Sequence, residues 1–331
     1  MALNKQIWVS QLKENFYPER NFLTKVTDFT DDVDANTLHI ASAGIDPKVL
    51  INNKTYPIKV IEREDQDNQI PLDTFDTENT VVRHIEEAEY SYGKLESVIR
   101  QHRLTLQTST AQKAIHAFAP LNDTPDTPIV ETTGEVVNGR KRMKFADILT
   151  LKEKFDNALV PLNDRYIVLH PTHVTDLMLE DLQLFKDLTE IRDGEPIKFA
   201  GFGTFQFPYM PKYSRTGPED PLTKSDFNVE SKNASIVSVA FQKYEVMKAD
   251  GTLDMFSRLD DPEERGSIIG FQKRFIAMPI RNKGIGAIVS VDESQNTSAA
   301  PLKTQKSMMQ NETLNKTFSE SKEDDEQGEL E

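Results

Sequence analysis

The residues best equipped for chemistry in this 331-residue chain are His170 and His173 of His170-Pro171-Thr172-His173, followed by Asp176. Two imidazoles and a carboxylate are donors that zinc accepts, and a zinc-activated water would make the site a hydrolase. Such an enzyme presents its histidines one helical turn apart, with a nearby acid as base and a third ligand. Here a proline stands between the histidines and no acid does. The same residues read more simply as a strand-to-helix turn with Thr172 or Asp176 near the helix start. His39, His84, His102 and His116 are isolated.

Other catalytic arrangements lack their parts. Gly201-Phe202-Gly203 has no third glycine and no strand-loop-helix setting for phosphate, and no Gly-x-Ser-x-Gly elbow occurs. Acidic pairs such as Glu86-Glu87 and Asp260-Asp261 lie on polar stretches where carboxylates are ordinarily solvated. With no cysteine, disulfides, thiolate metal sites and thiol nucleophiles are excluded. The expectation is a non-enzyme with no metal and no cofactor.

The formal charge of −15 argues against a dedicated nucleic-acid binder, because phosphate contact needs a basic face. No stretch approaches the roughly 20 apolar residues of a membrane span, and Met1 to Gln6 lack the apolar run of a signal peptide, so cytosolic synthesis is expected.

The elements that would position these residues begin with 1–35, where Trp8, Leu12, Phe16, Tyr17 and Phe22 follow no clean period before an acidic run. This segment reads either as an arm laid across another surface or as a short helix capping the chain's own core. Residues 36–76 read as a projecting hairpin: short apolar runs, including Ile58, Val60, Ile70 and Leu72, flank the charged tip Glu62 to Gln69, and Pro57 and Pro71 restrict the strands to an edge. A hairpin this polar cannot build a core alone, so its burial is expected against a neighbouring copy. After Asp76 to Thr80, apolar steps at Val81, Ile85, Ala88, Tyr92, Leu95 and Ile99 predict one helix over 81–118, on the order of 50 Å long.

Residues 119–144 are rich in turn formers and carry Arg140-Lys141-Arg142, which reads as a solvated linker loop or as a contact to DNA or to a neighbour's acidic patch. From Phe145 the pattern is mixed α/β. Phe145, Ile148, Leu149, Phe155 and Leu159 share a helical face, Tyr166 to Leu169 make a short buried strand, and a helix with Leu177, Met178, Leu179 and Leu182 follows. A loop is expected over 181–192, a strand pair bent at Gly201 and Gly203, and further strands over 234–244 and 267–289 with a turn at Arg281 to Gly284. Residues 292–331 carry ten acids and four bases, which predicts a solvated, disordered tail; Met308, Met309, Leu314 and Phe318 leave room for a short partner-binding helix.

This order of arm, hairpin, long helix and α/β domain resembles the HK97-type major capsid protein of tailed double-stranded DNA phages. Several segments carry the resemblance: Asn53-Lys54-Thr55-Tyr56-Pro57, Thr77 to Val82, Arg165 to Pro171, Ala200 to Gly203 and Arg274 to Gly286. It covers most of 1–292 and not the tail. The resemblance implies an α+β capsid fold with an N-terminal arm (1–35), extended hairpin loop (36–76), peripheral domain with spine helix (77–135), axial domain (136–263) and closing strands shared by both domains (264–291). It implies self-assembly into hexamers and pentamers of an icosahedral head, assembled in the host cytoplasm. The partners it implies are a scaffolding protein, a portal and in some cases a decoration protein, with packaged double-stranded DNA touched non-specifically and no membrane. The residues expected at contacts between subunits are Trp8, Phe16, Ile58, Val60, Ile70, Leu72, Arg281, Asn282, Lys283 and Gly284. Some members join a hairpin lysine to an asparagine of another subunit; Lys54, Lys59 and Asn282 lie in loosely corresponding regions and match none residue by residue. A protein-cargo nanocompartment of the same fold is the nearest alternative, and a metal-dependent hydrolase built on His170, His173 and Asp176 the alternative of another class.

Overall fold

The structure, a computed structural model, describes residues 21–34, 36–42, 66–83, 94–181, 185, 189–192, 195–215, 220–228 and 235–291. A 3-10 turn at Phe22–Lys25, capped by the Asn21 side chain, leads into β1 (Thr27–Asp28), β2 (Val33–Asp34), β3 (Thr37–Ser42), β4 (Gln66–Pro71), β5 (Asp73–Asp76) and β6 (Thr80–Arg83). Helix α1 (Lys94–Phe118) is followed by β7 (Ile129–Glu131), β8 (Val136–Val137), β9 (Arg140–Lys141), α2 (Phe145–Asn157), β10 (Arg165–Leu169) and α3 (Pro171–Glu180). The remaining strands are β11 (Thr189–Arg192), β12 (Glu195–Phe199), β13 (Phe202–Gln206), β14 (Tyr213–Ser214), β15 (Thr223–Lys224), β16 (Ile236–Gln242), β17 (Val246–Asp261), β18 (Gly266–Pro279) and β19 (Ile285–Ser290).

Two sheets carry the architecture. A seven-stranded mixed sheet runs β11-β12-β13-β10-β16-β19-β7, with α2 and α3 packed against it. The apolar strands β10 and β16 lie at its centre, where both faces are covered and alternation is not required. The second sheet is built on the antiparallel pair β17 and β18, extended by β1 on one side and by β5 and β6 on the other. From Phe271 onward β18 alternates: Phe271, Phe275 and Ala277 turn toward α1 and the main core, while Ile276 and Met278 pack with Leu38, Leu72, Met247 and Ala249 on the far face. Helix α1 buries Val98, Ile99, His102, Leu106, Thr110, Ala111, Ala114, Ile115 and Phe118, steps of three and four that give one continuous stripe. Its last carbonyls are satisfied by Lys224, whose Nζ donates to His116 O (2.9 Å) and Ala119 O (2.6 Å).

Several expectations change. Residues 80–83 are a strand, so the described part of the helix is Lys94–Phe118; the intervening 84–93 lie outside the described residues. The β-branched run Thr80-Val81-Val82 pairs with Ile269 to Ser267 of β18, and Thr77 exchanges hydrogen bonds with the Phe271 backbone. The stretch 119–144 is not a linker: β7 is the edge strand of the seven-stranded sheet, parallel to β19. The loop expected over 181–192 contains β11. β7 lies in the seven-stranded sheet with β10, β16 and β19, and β17 in the five-stranded one with β18.

The base of the hairpin is closed within the chain. β4 pairs with β3 from Thr37↔Pro71 to Ser42↔Gln66, Leu72 is buried beside Leu38, and Ile70 packs partly against the same cluster. Leu72 is therefore a core residue of its own chain. Ile58 and Val60, like Trp8 and Phe16, lie outside the described residues, as do Lys54, Lys59 and the tail.

Candidate functional site

The histidine cluster is a structural joint. β10 ends at Leu169 and α3 begins at Pro171, whose fixed φ and missing N–H suit the first helical position. The cap is His170 itself, with Nδ1 accepting from Thr172 N (3.1 Å). His173, fully buried, has Nδ1 at 2.7 Å from Ser238 Oγ and Nε2 at 2.9 Å from Ser290 Oγ. One proton arrangement satisfies the whole chain of contacts. The His170 backbone N–H donates to Ser238 Oγ, the Ser238 hydroxyl to His173 Nδ1, and His173 Nε2–H to Ser290 Oγ. The Ser290 hydroxyl then donates to Thr132, and Thr132 Oγ1 to Lys141 O. Burial pushes the His173 pKa down to about 3, against a smaller opposing pull from Asp176, so the ring is neutral.

Asp176 makes its hydrogen bonds outside this network. Its carboxylate takes both Arg140 guanidinium nitrogens, at 2.6 and 2.8 Å, together with Met143 N at 3.2 Å. Arg140 of the basic cluster is thus committed to an internal, bidentate ion pair that pins β9 to α3. Both ring nitrogens of His173 and both oxygens of Asp176 are occupied by protein partners, so the donor set offered for a metal is not brought together. Among the described residues no group of three histidines and acids converges. No helix among them is long and apolar enough to cross a membrane.

The turn at 281–284 is rigid. Arg281 donates through Nε and Nη2 to the buried Glu245 carboxylate at 3.0 and 2.9 Å. Gly284 is buried with φ +65, and a Cβ there would come within 2.9 Å of Glu245 Cγ, so glycine is required. Asn282 is exposed and Lys283 half-buried. Of the expected contact residues within the description, Arg281, Asn282 and Lys283 present surface, while Gly284 shapes the turn.

Missed by the sequence reading are the apolar side chains that lie outside the core. Leu149, Leu159 and Leu179, assigned to helix faces, are exposed, Leu159 by 82%. The buried face of α2 runs instead through Phe145, Asp147, Ile148, Leu151 and Phe155, and Leu159 lies past its end. The available signal was the leucine-rich loop Leu159-Val160-Pro161-Leu162, where turn formers would be expected.

No protein-family model matches this sequence, and no curated protein matches it. Solved structures do. The capsid of the cyanophage P-SCSP1u superposes with a TM-score of 0.55 at 16% identity, over 80% of this chain and 86% of that one. The capsid of Ralstonia phage GP4 gives 0.57 at 10% identity, over 81% and 87%. The SrpI encapsulin of Synechococcus elongatus PCC 7942 gives 0.55 at 10% identity, over 85% and 90%. The chain has the α+β fold shared by these capsid and encapsulin shells, in agreement with the resemblance read from the sequence.

Proposed function

We propose that this chain is a major capsid protein, whose hexamers and pentamers close an icosahedral head around double-stranded DNA. The observation that carries the reading is coverage: about four fifths of this chain aligns with nearly nine tenths of each phage capsid chain, a whole-subunit likeness rather than one shared motif. In this reading α1 is the spine helix and the seven-stranded sheet the core of the axial domain. The sheet of β17 and β18 belongs to the peripheral domain, 36–76 carries the extended loop, closed at its base on its own chain through Leu38 and Leu72, and 1–35 is the arm, anchored at its end by Phe22, Leu23 and Val26. Each contact is weak, and closure of the shell sums them. The net charge of −15 fits a wall that touches packaged DNA sparsely and without sequence preference.

The encapsulin likeness, equal in TM-score to that of the cyanophage capsid, sustains a second reading as a nanocompartment shell. Expression alone separates the two. A phage subunit is expected to give aberrant or open assemblies until a scaffolding protein is supplied. Uniform closed shells formed unaided, retaining an enzyme through a short peptide, would replace the phage reading.

A further inference from the structure

One end of the seven-stranded sheet, where β16 stops and β10 and β19 start, exposes apolar side chains from three abutting segments. Leu159 and Leu162 are 82% and 68% exposed, Tyr244 57% and Ile280 37%. The segments are locked together: Lys243 N donates to Asp164 O (3.0 Å), Gln242 Nε2 to Asn163 O (3.3 Å) and Ile280 N to Glu245 O (2.8 Å). Buried Arg165 clamps the leucine loop, donating to Val160 O (2.6 Å) and Pro161 O (2.9 Å). The surface is therefore fixed before anything meets it.

Leu159 is doubly out of place. α2 ends in a Schellman motif, with Val160 N donating to Phe155 O (3.1 Å) and Leu159 N to Asp156 O (3.0 Å). Leu159 holds the left-handed position at φ +55, which favours glycine. It thus bears backbone strain while its side chain gains almost nothing from its own subunit's core. Strain at an unburied apolar residue points to a surface covered in the working state.

The charges say by what. Copies of a chain at −15 repel over most of their surface. At this end the charges cancel: Arg165 closes on Asp156 (2.6 Å), Arg281 on Glu245 (2.9 Å) and Lys154 on Asp123 (3.8 Å). Asp126 and Asp164 offset Lys243 and Lys283. Beside Leu159, a recess of about 660 Å³ opens, lined by Pro125 and Ala158 together with Asp123, Asp126, Lys154 and Lys283, large enough for a partner's side chain. A charge-balanced, rigid, apolar surface offers a polyanion no net attraction, and it is where two identical acidic subunits can approach.

We propose that this end of the sheet is a docking face for a second copy of the chain, with Leu159 and Leu162 as its apolar anchors. The proposal rests on the shell reading and places one of its contacts. Because the chain has no cysteine, Leu162→Cys introduces a unique thiol whose maleimide labelling can be compared in assembled particles and in subunits dissociated from them. Labelling is expected to be about tenfold slower in particles, as for a buried contact. Leu159→Gly relieves the strain and is expected to raise the Tm of the dissociated subunit by about 2–4 °C. The same variant should raise the concentration needed for assembly about tenfold. Equal labelling in both states, or Leu159→Gly assembling at the wild-type concentration, overturns the docking face and leaves the shell reading standing. A wild-type chain that never associates overturns both.

Discussion

At the scale of single residues, His173, Asp176 and Arg140 are spent on holding the fold. His173 is neutral and buried between two serines, with its pKa pushed down to about 3 from an ordinary 6.5. The unfolded chain therefore binds a proton that the folded chain refuses between those values, and stability falls as pH drops through that window. The contribution is on the order of 1.4 kcal/mol per pH unit. Urea unfolding from pH 7 to pH 4 is expected to show His173→Asn losing stability less steeply than wild type, whatever its starting deficit; parallel curves would refute the assignment. The ion pair of Arg140 with Asp176 makes a second case. Arg140→Ala removes the bidentate partner of a carboxylate that is 3% exposed, leaving it only Met143 N and the more distant Arg142 at 4.0 Å, and is expected to cost about 2–3 kcal/mol in chemical denaturation. These roles were only partly legible. The interrupting proline argued against a metal helix and for a strand-to-helix turn, but nothing local in Arg140-Lys141-Arg142 reveals an acid 36 positions away on another element.

At the scale of elements, what could be read depended on how far each strand or helix follows its local pattern. β10, the start of α3 and the bend at Gly201 were legible because an apolar run, a proline and a glycine mark their limits. β17 was not, because its burial is ionic as well as apolar. Lys248 reaches Asp28 at 3.0 Å, and Lys273 of β18 pairs with Asp250, both lysines nearly enclosed where a sequence reading places charge in solvent. The start of α1 was misplaced because Val81 and Val82 fit a helical stripe and a strand equally well until β18 is present to pair with them. Helix α2 crosses the sheet where β19 offers Gly286, and a Cβ there would meet Phe155 Cε1 at 2.8 Å and Leu151 Cδ1 at 2.9 Å. Gly286→Ala is expected to destabilise the subunit by about 1–3 kcal/mol through overpacking, measured as a lower denaturation midpoint with an unchanged slope.

At the scale of the whole molecule, the described residues enclose a large internal core, the chain carries a formal charge of −15, and one end of the larger sheet is apolar and charge-balanced. Long-range repulsion between copies should therefore limit association at low salt. Raising ionic strength from about 0.01 M to about 0.5 M shortens the screening length several-fold and is expected to lower the concentration at which light scattering reports assembly. Assembly that weakens with salt would point to attraction between opposite charges instead. The N-terminal segment reads either as an arm on another surface or as a helix capping the chain's own core, and its described end, Phe22, Leu23 and Val26, lies in that core; the hairpin was read as needing a neighbour, and its base is finished internally through Leu38 and Leu72. The central claim, that the subunit's work is to bind copies of itself, is tested most directly by negative-stain electron microscopy of the purified protein at high concentration, with and without scaffolding protein. Closed or partial shells, tubes or hexameric rings are the predicted result, and a population of persistent monomers under both conditions would contradict it.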